Sequence, residues 1–235
     1  MRGTIVIALT LVVAAPALAK SDVAPMLSGA DLDPASVLPP PPALGSVQAR
    51  AEFAELHAIE AVRTAADEAD ARADGDTKNA TIFAVVLGPR FDLTALPATA
   101  RLMNIVRASE QDVVGRGKAH FQRPRPYALE PALKSCNSTG DPGTSYPSGH
   151  TTMAFSMAET LGRLIPDKAE ALLARAARYG QSRIVCEQHF RSDVTAGQTL
   201  GTLVAERLMA KPAFRVAFDE AGRELAGAGI AAPVR

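Results

Sequence analysis

Residues 145–164 read SYPSGHTTMAFSMAETLGRL, and this stretch decides the fold. Ser148 can cap a helix, because its hydroxyl can accept a hydrogen bond from a free N–H group of the first turn. The apolar residues behind it recur at helical spacing: Met153, Met157, Leu161 and Leu164. Pro166 stops the pattern, since a proline disfavours helical geometry in the residue before it. The stretch therefore predicts an amphipathic helix that opens at Ser148 and stops at Pro166.

Helical spacing of apolar residues extends through most of the remaining chain. We expect a long helix from near Ser46 and further helices from Pro97 and Pro212, since proline suits the first helical turn. The apolar run at 81–87 fits a strand or a buried helix, and we favour the helix because no partner strand is evident. The pattern predicts one mostly helical domain without internal repeats.

Two further expectations concern caps and loops. Asp167 with Glu170 resembles a capping box and predicts the start of a helix that runs to about Gln188. Ser192 is a candidate cap for the helix after it. Residues 122–147 are rich in proline and predict a long loop. Loops of that length inside a compact domain are usually functional.

Two segments precede the helical domain, which we place at 47–235. Residues 1–19 combine Arg2, an apolar run and an Ala-Leu-Ala site, which is the pattern of a cleavable secretory signal peptide. A membrane anchor is the alternative, although the apolar run is short for a bilayer core of about 30 Å. Residues 20–46 include four consecutive prolines and predict an extended arm. The sequence thus predicts export and no membrane association after cleavage.

The composition excludes several classes of protein. The 235 residues contain 25 Lys and Arg against 25 Asp and Glu, so the chain lacks the positive surplus of a general nucleic-acid binder. Hydrophobic residues make up 47% of the chain, which is enough for a sizeable core. Cys136 and Cys186 are too few for a disulfide-rich scaffold or a four-thiolate zinc site. In an oxidising compartment they can form one disulfide, and two buried thiols are the alternative.

Three segments carry chemistry. The first, GRGKAHFQRPRP at 115–126, holds four Lys and Arg residues and no acid, although a solvated basic face usually explains such a run. The second, YPSGH at 146–150, joins a helix start, a glycine and a histidine, which suits an anion. In the third, SRIVCEQHFRSD at 182–193, Asp193 follows His189 by four residues, so the carboxylate can fix the tautomer of the imidazole. A merely structural hydrogen bond is the alternative for that pair.

Together the segments predict one site for an oxyanion of charge about −2. Its positive charge comes from three side chains: Lys118, Arg125 and Arg183. His150 and His189 suit acid and base chemistry near neutral pH. A metal is disfavoured because three nearby cations would repel a dication, so we expect neither a metal nor another cofactor. For Arg123 and Arg191 two roles stay open: they either shape the mouth of the pocket or lie on a solvated surface.

These residues resemble the signature of the type 2 phosphatidic acid phosphatase superfamily, which is K-x6-R-P, P-S-G-H and S-R-x5-H-x3-D. All three parts match in order, at 118–126, 147–150 and 182–193. Within that superfamily the SYPSGHT stretch and the LPPPP arm are similar to class A bacterial non-specific acid phosphatases. The resemblance covers roughly residues 38–210 and implies an all-α, single-domain helical bundle of the vanadium-haloperoxidase and acid-phosphatase type. Gly143-Thr144-Ser145 departs from the class, which usually has glycine directly before this serine.

The resemblance implies a role for each matching residue. His189 is the expected nucleophile, Asp193 orients it, and His150 protonates the leaving alcohol. The implied phosphate-binding residues are Lys118, Arg125, Ser148, Gly149 and Arg183. The implied protein is a periplasmic acid phosphatase that hydrolyses small phosphate monoesters of broad range through a phosphohistidine. The oligomeric state is left open between a monomer and a homodimer.

Several other functions compete with this interpretation. A vanadium-dependent haloperoxidase would use the same oxyanion site, with His189 as the ligand of vanadate. A lipid phosphatase is disfavoured because no later stretch is long and apolar enough to span a membrane. A serine hydrolase built on Ser148, His189 and Asp193 leaves the three cations unexplained. A non-catalytic phosphate-binding protein leaves the two histidines unexplained.

Overall fold

The computed structural model describes residues 23–138 and 140–232, and these residues form helices and connecting segments without a β-strand. The signal peptide predicted at 1–19 lies outside the described residues, as do residues 20–22 of the arm. The α-helices in chain order are α1 (Pro34–Val37), α2 (Val47–Val62), α3 (Ala65–Asp76), α4 (Ala84–Leu87), α5 (Pro97–Phe121), α6 (Pro126–Leu129), α7 (Gly149–Leu164), α8 (Ala169–Val185), α9 (Arg191–Met209) and α10 (Pro212–Gly227). The all-α fold predicted from the sequence is confirmed.

The predicted helix starts at Ser46, Pro97, Ser148 and Pro212 are confirmed. The Ser46 side chain accepts a hydrogen bond from the N–H of Ala49, and Ser148 caps α7. Pro97 and Pro212 occupy the first turns of α5 and α10, where the missing N–H group of proline costs no helical hydrogen bond. The run at 81–87 is helical as expected, with a 3₁₀ turn over Ala80–Phe83 followed by α4.

The helix α7 forms the centre of the molecule. It packs against α5, α8 and α9, and α10 covers the outer side of α5. Met153, Met157 and Leu161 are almost completely buried, so the apolar face read from the sequence is the core face. Since α7 begins at Gly149, the residues at its N-terminus are held by the best-packed part of the fold.

Two glycines of α9 allow it to pack closely on α7. A methyl group at Gly197 would lie 2.7 Å from the carbonyl oxygen of Ser148, and one at Gly201 would lie 2.6 Å from that of Thr152. Both distances are shorter than a carbon atom tolerates, so only glycine permits this approach. The close contact places the start of α9 beside the start of α7, where the N–H of Ser148 donates to the carbonyl oxygen of Asp193 at 3.0 Å.

The two predicted caps in the second half of the chain are wrong. Residues Pro166–Lys168 form a 3₁₀ turn, and α8 then begins at Ala169 without a side-chain cap and ends at Val185, short of Gln188. Ser192 does not cap α9, because that helix begins one residue earlier and the Asp193 carboxylate accepts a hydrogen bond from the N–H of Phe190. An aspartate at the third position of a helix can satisfy the cap N–H group and so replaces the serine.

Prolines also begin short helical turns in segments predicted to be extended or looped. The turn α1 starts at Pro34 inside the arm, and α6 starts at Pro126 inside the loop at 122–147. The φ angle of proline suits the first position of a helix, which explains both turns. Among residues 23–138 and 140–232, no helix has both the length and the hydropathy required to cross a membrane.

Candidate active site

His189 lies in the short connection between α8 and α9. Glu187, with a left-handed φ of 53°, follows the end of α8 in this connection. The connection is buried, and His189 is only 1% exposed. Its Nδ1 atom lies 3.5 Å from Oδ2 of Asp193 and 3.4 Å from Oγ of Ser145. On the other side of the ring, Nη1 of Arg125 lies 3.4 Å from Nε2.

These contacts fix the tautomer of His189. The Asp193 carboxylate is an acceptor, so Nδ1 carries the hydrogen that faces it. Arg125 is only a donor, so Nε2 presents its lone pair to the guanidinium. Burial, together with the charges of Arg125, Lys118 and Arg183, lowers the pKa of His189 well below its usual value. Both effects favour the neutral imidazole, with the lone pair of Nε2 on the side of Arg125.

Donors surround the Asp193 carboxylate on both oxygens. Nη1 of Arg123 lies 2.6 Å from Oδ1, while the Ser145 hydroxyl and the N–H of Phe190 donate to Oδ2 at 2.6 and 2.8 Å. Burial raises the pKa of Asp193, and Arg123, Ser145 and Phe190 oppose that rise. A carboxyl group that accepts from three donors has the partners of the ionised form, so Asp193 can hold His189 by charge as well as by geometry.

The Arg123 guanidinium is fixed by hydrogen bonds and by an aromatic ring. Its Nη2 atom lies 2.7 Å from Oε2 of Glu52, its Nη1 atom also donates to Oγ of Ser192, and its guanidinium stacks 4.3 Å from the centre of the Phe190 ring. Arg123 is 5% exposed, and Glu52 is equally buried. It is neither at the mouth of the pocket nor solvated. Arg191, the other residue left open, pairs with Glu55 at the surface.

Of the three cations predicted to bind an oxyanion, Arg125 lies on the Nε2 side of His189, and Lys118 and Arg183 lie close enough for their charges to act on the ring. All three appear among the charges that lower its pKa: Arg125, Lys118 and Arg183. A methyl group on Gly149 would lie 3.9 Å from the Lys118 ammonium, which places this lysine at the start of α7. Burial and the charge of Arg125 lower the pKa of Lys118 to about 8. Burial also lowers the pKa of Arg125 and of Arg183.

None of these three cations forms an ion pair within 23–138 and 140–232, whereas Arg123 pairs with two carboxylates. Arg125 donates instead to the carbonyl oxygens of Gln188 and Asp141. Nε of Arg183 is buried without a hydrogen-bond partner in the same part of the chain. Positive charge gathered at partly or fully buried positions, and not neutralised by an ion pair, favours an anionic ligand.

The second histidine lies across this cationic region from His189. Nε2 of His150 lies 3.0 Å from the carbonyl oxygen of Gly75, and because a carbonyl only accepts, Nε2 carries a hydrogen. Burial and the charges of Arg183 and His189 lower the pKa of His150 well below its usual value, while the Gly75 carbonyl opposes that change. His150 borders a cavity of ≈ 750 Å³ that is also lined by Arg125, Arg183 and Gln188.

A disulfide joins Cys136 to Cys186, which confirms the pairing expected for an oxidising compartment. Both cysteines line the cavity. The bridge ties the loop after α6 to the residues just before His189, and the N–H of Cys136 also donates to the carbonyl oxygen of Cys186 at 3.1 Å. Ser135 on the same loop contacts the side chain of Gln188.

All the predicted site residues thus meet in one region, and the sequence assigned no role to four residues that hold them. Glu52, Arg123 and Ser145 hold the Asp193 side, and Gly75 contacts His150. Arg123 stood in the basic segment, but nothing in its spacing indicated Asp193 as its partner. Within the residues that the structure describes, no three His, Cys, Asp or Glu side chains are grouped so that they could hold a metal ion.

The fold and the site define an α-helical protein with a buried histidine beside a group of cationic side chains. A profile of the PAP2 superfamily matches residues 98–216. An acid phosphatase from Zymomonas mobilis is 33% identical over 200 residues, which cover 82% of this chain and 75% of the relative. The non-specific acid phosphatase of Providencia stuartii is 30% identical over 206 residues, covering 83% and 82% of the two chains. That of Salmonella typhi is 29% identical over 167 residues, covering 69% and 66%. The chain belongs to the PAP2 superfamily, and the resemblance drawn from its three motifs is confirmed.

Proposed function

We propose that this chain is a secreted acid phosphatase, which hydrolyses phosphate monoesters through a phosphohistidine formed on His189. The observation that carries the proposal is the gathering of three cations near that histidine, all without an ion pair in the described ranges: Lys118, Arg125 and Arg183. Relatives that cover most of the chain are named acid phosphatases, which supports the same reaction.

The first half of the reaction forms the phosphoenzyme. Nε2 of His189 attacks phosphorus as the P–O bond to the leaving alcohol breaks, and the three cations stabilise the charge on the phosphoryl oxygens. The N-terminus of α7, through Ser148 and the N–H of Gly149, provides further donors. As His189 becomes positive, the Asp193 carboxylate stabilises the new charge through Nδ1–H. His150 gives its proton to the leaving oxygen.

The second half releases phosphate. A water molecule loses its proton to His150, its oxygen attacks phosphorus, and the P–Nε2 bond breaks to leave His189 neutral. His150 must be protonated at the start of each cycle, although burial and the charges of Arg183 and His189 lower its pKa in the free enzyme. A phosphoryl dianion bound between these charges offsets them and raises the pKa of His150 again. Substrate binding and protonation of His150 are therefore coupled.

The disulfide and the sequence of residues 1–19 support export. A bond between Cys136 and Cys186 persists in an oxidising compartment, and the first 19 residues have the pattern of a cleavable signal peptide. In a bacterium we therefore expect the enzyme in the periplasm. The open cavity of ≈ 750 Å³ beside His150 accommodates leaving groups of different shapes, which supports a broad range of small phosphate monoesters.

The test is trapping of the phosphoenzyme during turnover of a chromogenic phosphate monoester. Acid-labile, base-stable phosphate should appear on the wild-type enzyme and be absent from the His189→Ala variant. The His150→Ala variant should hydrolyse p-nitrophenyl phosphate far better than an alkyl phosphate, because nitrophenolate leaves without a proton. His57→Ala, which changes an exposed histidine paired with Glu130, is the control.

Three results would replace the proposal with a competing function. Phosphate trapped on Ser148 would establish a serine hydrolase. Oxidation of bromide with peroxide and vanadate, without phosphatase activity, would establish the haloperoxidase. Phosphate binding without turnover of any monoester would leave a binding protein.

A further inference from the structure

We propose that Gly75 is a positioning residue, whose missing side chain leaves the space that the Arg183 guanidinium occupies and whose carbonyl orients His150. This inference rests on the proposed function, because it assigns Gly75 to the phosphate-binding side of that site. Gly75 lies in the last turn of α3, far from the three sequence motifs.

The steric argument is direct. A methyl group on Gly75 would lie 2.2 Å from Nη1 of Arg183 and 3.1 Å from its Cζ. A separation of 2.2 Å is far inside van der Waals contact, so a side chain and the observed guanidinium cannot both occupy this place. Arg183 is 6% exposed, and a displaced guanidinium would leave the position from which its charge acts on His150 and His189.

The end of α3 cannot withdraw to make room. Asp74, directly before Gly75, accepts hydrogen bonds from Ser182 at 2.6 Å and from Arg175, both on α8. Two residues after Gly75, the carbonyl oxygen of Thr77 accepts from the hydroxyl of Tyr179 at 2.8 Å. The backbone around Gly75 is thus fixed to the same helix that carries Arg183. An added methyl group would displace the flexible end of Arg183 and leave α3 in place.

The same glycine also fixes the second histidine. Its carbonyl oxygen accepts from Nε2 of His150 at 3.0 Å, which holds the ring at the edge of the cavity. One residue therefore sets the places of a phosphate-binding cation and of the expected proton donor. Because the carbonyl is present in every amino acid, substitution of Gly75 separates the two effects.

The experiment uses the Gly75→Ala variant of the full mature chain, with Gly227→Ala as the matched control. Gly227 also ends a helix, and a methyl group there meets nothing within 4 Å. For Gly75→Ala we expect the Kd of inorganic phosphate to rise about ten- to a hundredfold, which is the loss of a charge-assisted hydrogen bond. The melting temperature should stay within a few degrees, since alanine favours a helix. Gly227→Ala should leave the Kd unchanged.

A double-mutant cycle tests whether Gly75 acts through Arg183. In an Arg183→Ala background, Gly75→Ala should change the Kd of phosphate less than about twofold, because the displaced group is already absent. In the Gly75→Ala single variant, the ratio of p-nitrophenyl phosphate turnover to alkyl phosphate turnover should match that of the wild type, because His150 keeps its contact with the backbone carbonyl of residue 75.

The outcomes separate this inference from the proposed function. Wild-type affinity in Gly75→Ala, or an equal loss with and without Arg183, would overturn the positioning role while the enzyme remains a phosphatase. A changed leaving-group ratio in Gly75→Ala would show that the whole end of α3 had moved and would also overturn it. A wild-type chain that turns over no monoester would instead overturn the proposed function itself.

Discussion

Arg123 supplies the positive charge beside the Asp193 carboxylate, and its loss should change the pH dependence of catalysis. Without Arg123 the pKa of Asp193 rises further, because burial is then less opposed. A protonated Asp193 cannot hold the Nδ1–H group of His189 by charge. We expect Arg123→Met to lower kcat about a hundredfold and to move the acidic limb of the kcat profile to higher pH. The profile from pH 4 to 8 measures this shift.

Two variants control that experiment. Arg191→Met removes an arginine that pairs with Glu55 at the surface and should leave the acidic limb in place. Glu52→Gln keeps the bond between Arg123 and Asp193, so it should reduce stability without moving the limb. If Arg123→Met has the same pH profile of kcat as the wild type, Arg123 contributes to the fold and does not control the pKa of Asp193.

Lys118 should set the alkaline limit of substrate binding. Its pKa is lowered to about 8, so its proton is lost from the free enzyme above that pH. Turnover also needs a protonated His150, whose pKa lies lower, so binding of inorganic phosphate isolates the lysine. The Kd of phosphate should rise above about pH 8 and give the binding profile an alkaline limb. Arginine keeps its charge throughout this range, so Lys118→Arg should move the alkaline limb upward. Lys168→Arg, at an exposed position, is the control, and coincident limbs for Lys118→Arg and the wild type would contradict the assignment.

The sequence predicted the residues that carry charge but missed the residues that hold them. Lys118, His150 and His189 stand at the spacing of the motifs, and the structure brings them into one region. Arg123 stood in the same basic segment and was left open, because its partners Glu52 and Asp193 are 71 and 70 residues away. No local spacing encodes a contact of that range, whereas a helix cap or an apolar face depends on residues only a few positions apart.

At the scale of elements, the contact between α7 and α9 should tolerate no side chain at Gly197. A methyl group there would meet the backbone oxygen of Ser148 at 2.7 Å and Cβ of Thr151 at 2.9 Å, and neither atom can move away cheaply. We expect Gly197→Ala to lower the free energy of unfolding by about 1–3 kcal/mol. Because the helices would separate at the phosphate-binding end, kcat/KM should fall as well.

Denaturant unfolding and steady-state kinetics measure these two effects. Gly227→Ala has open space around its methyl group and should be neutral or slightly stabilising. A Gly197→Ala variant as stable as the wild type would mean that α9 can shift without cost. The sequence showed the helical periodicity of α9. It did not show how closely α9 packs on α7, since that depends on which residue of α7 faces each glycine.

The disulfide should matter for both stability and binding. It joins residues 50 positions apart, and a crosslink of that length contributes about 2–4 kcal/mol. In a Cys136→Ser, Cys186→Ser double variant we therefore expect a lower melting temperature. The loop also contacts Gln188 beside the nucleophile, so KM should rise while kcat changes little. A reductant should reproduce both effects in the wild type and have none on the variant, and an unchanged KM would confine the bridge to a structural role.

At the scale of the whole molecule, the cations that would bind phosphate lower the stability of the ligand-free protein. One buried and two partly buried cations repel one another when no anion is bound, and a dianion offsets that repulsion. Phosphate at one hundred times its Kd should stabilise the protein by about 2.7 kcal/mol. For a chain of this size that corresponds to a rise of about 5–10 °C in melting temperature. Calorimetric scans with phosphate, with sulfate and with chloride at equal ionic strength test this rise, and equal shifts in all three salts would contradict a specific site.

Because the cations repel one another in the ligand-free enzyme, removal of one of them should raise the free energy of unfolding. The pKa of Lys118 is about 8 in the fold and near 10.5 when unfolded, so the unfolded state holds the proton more tightly. The cost of the buried charge is complete below pH 8 and disappears as the pH rises toward 10.5. At pH 6, Lys118→Met should therefore raise the free energy of unfolding by about 1–2 kcal/mol, with allowance for partial exposure, and should remove most of the stabilisation by phosphate. Lys168→Met should do neither, and a Lys118→Met variant less stable than the wild type without phosphate would show that the lysine serves the fold and not the ligand.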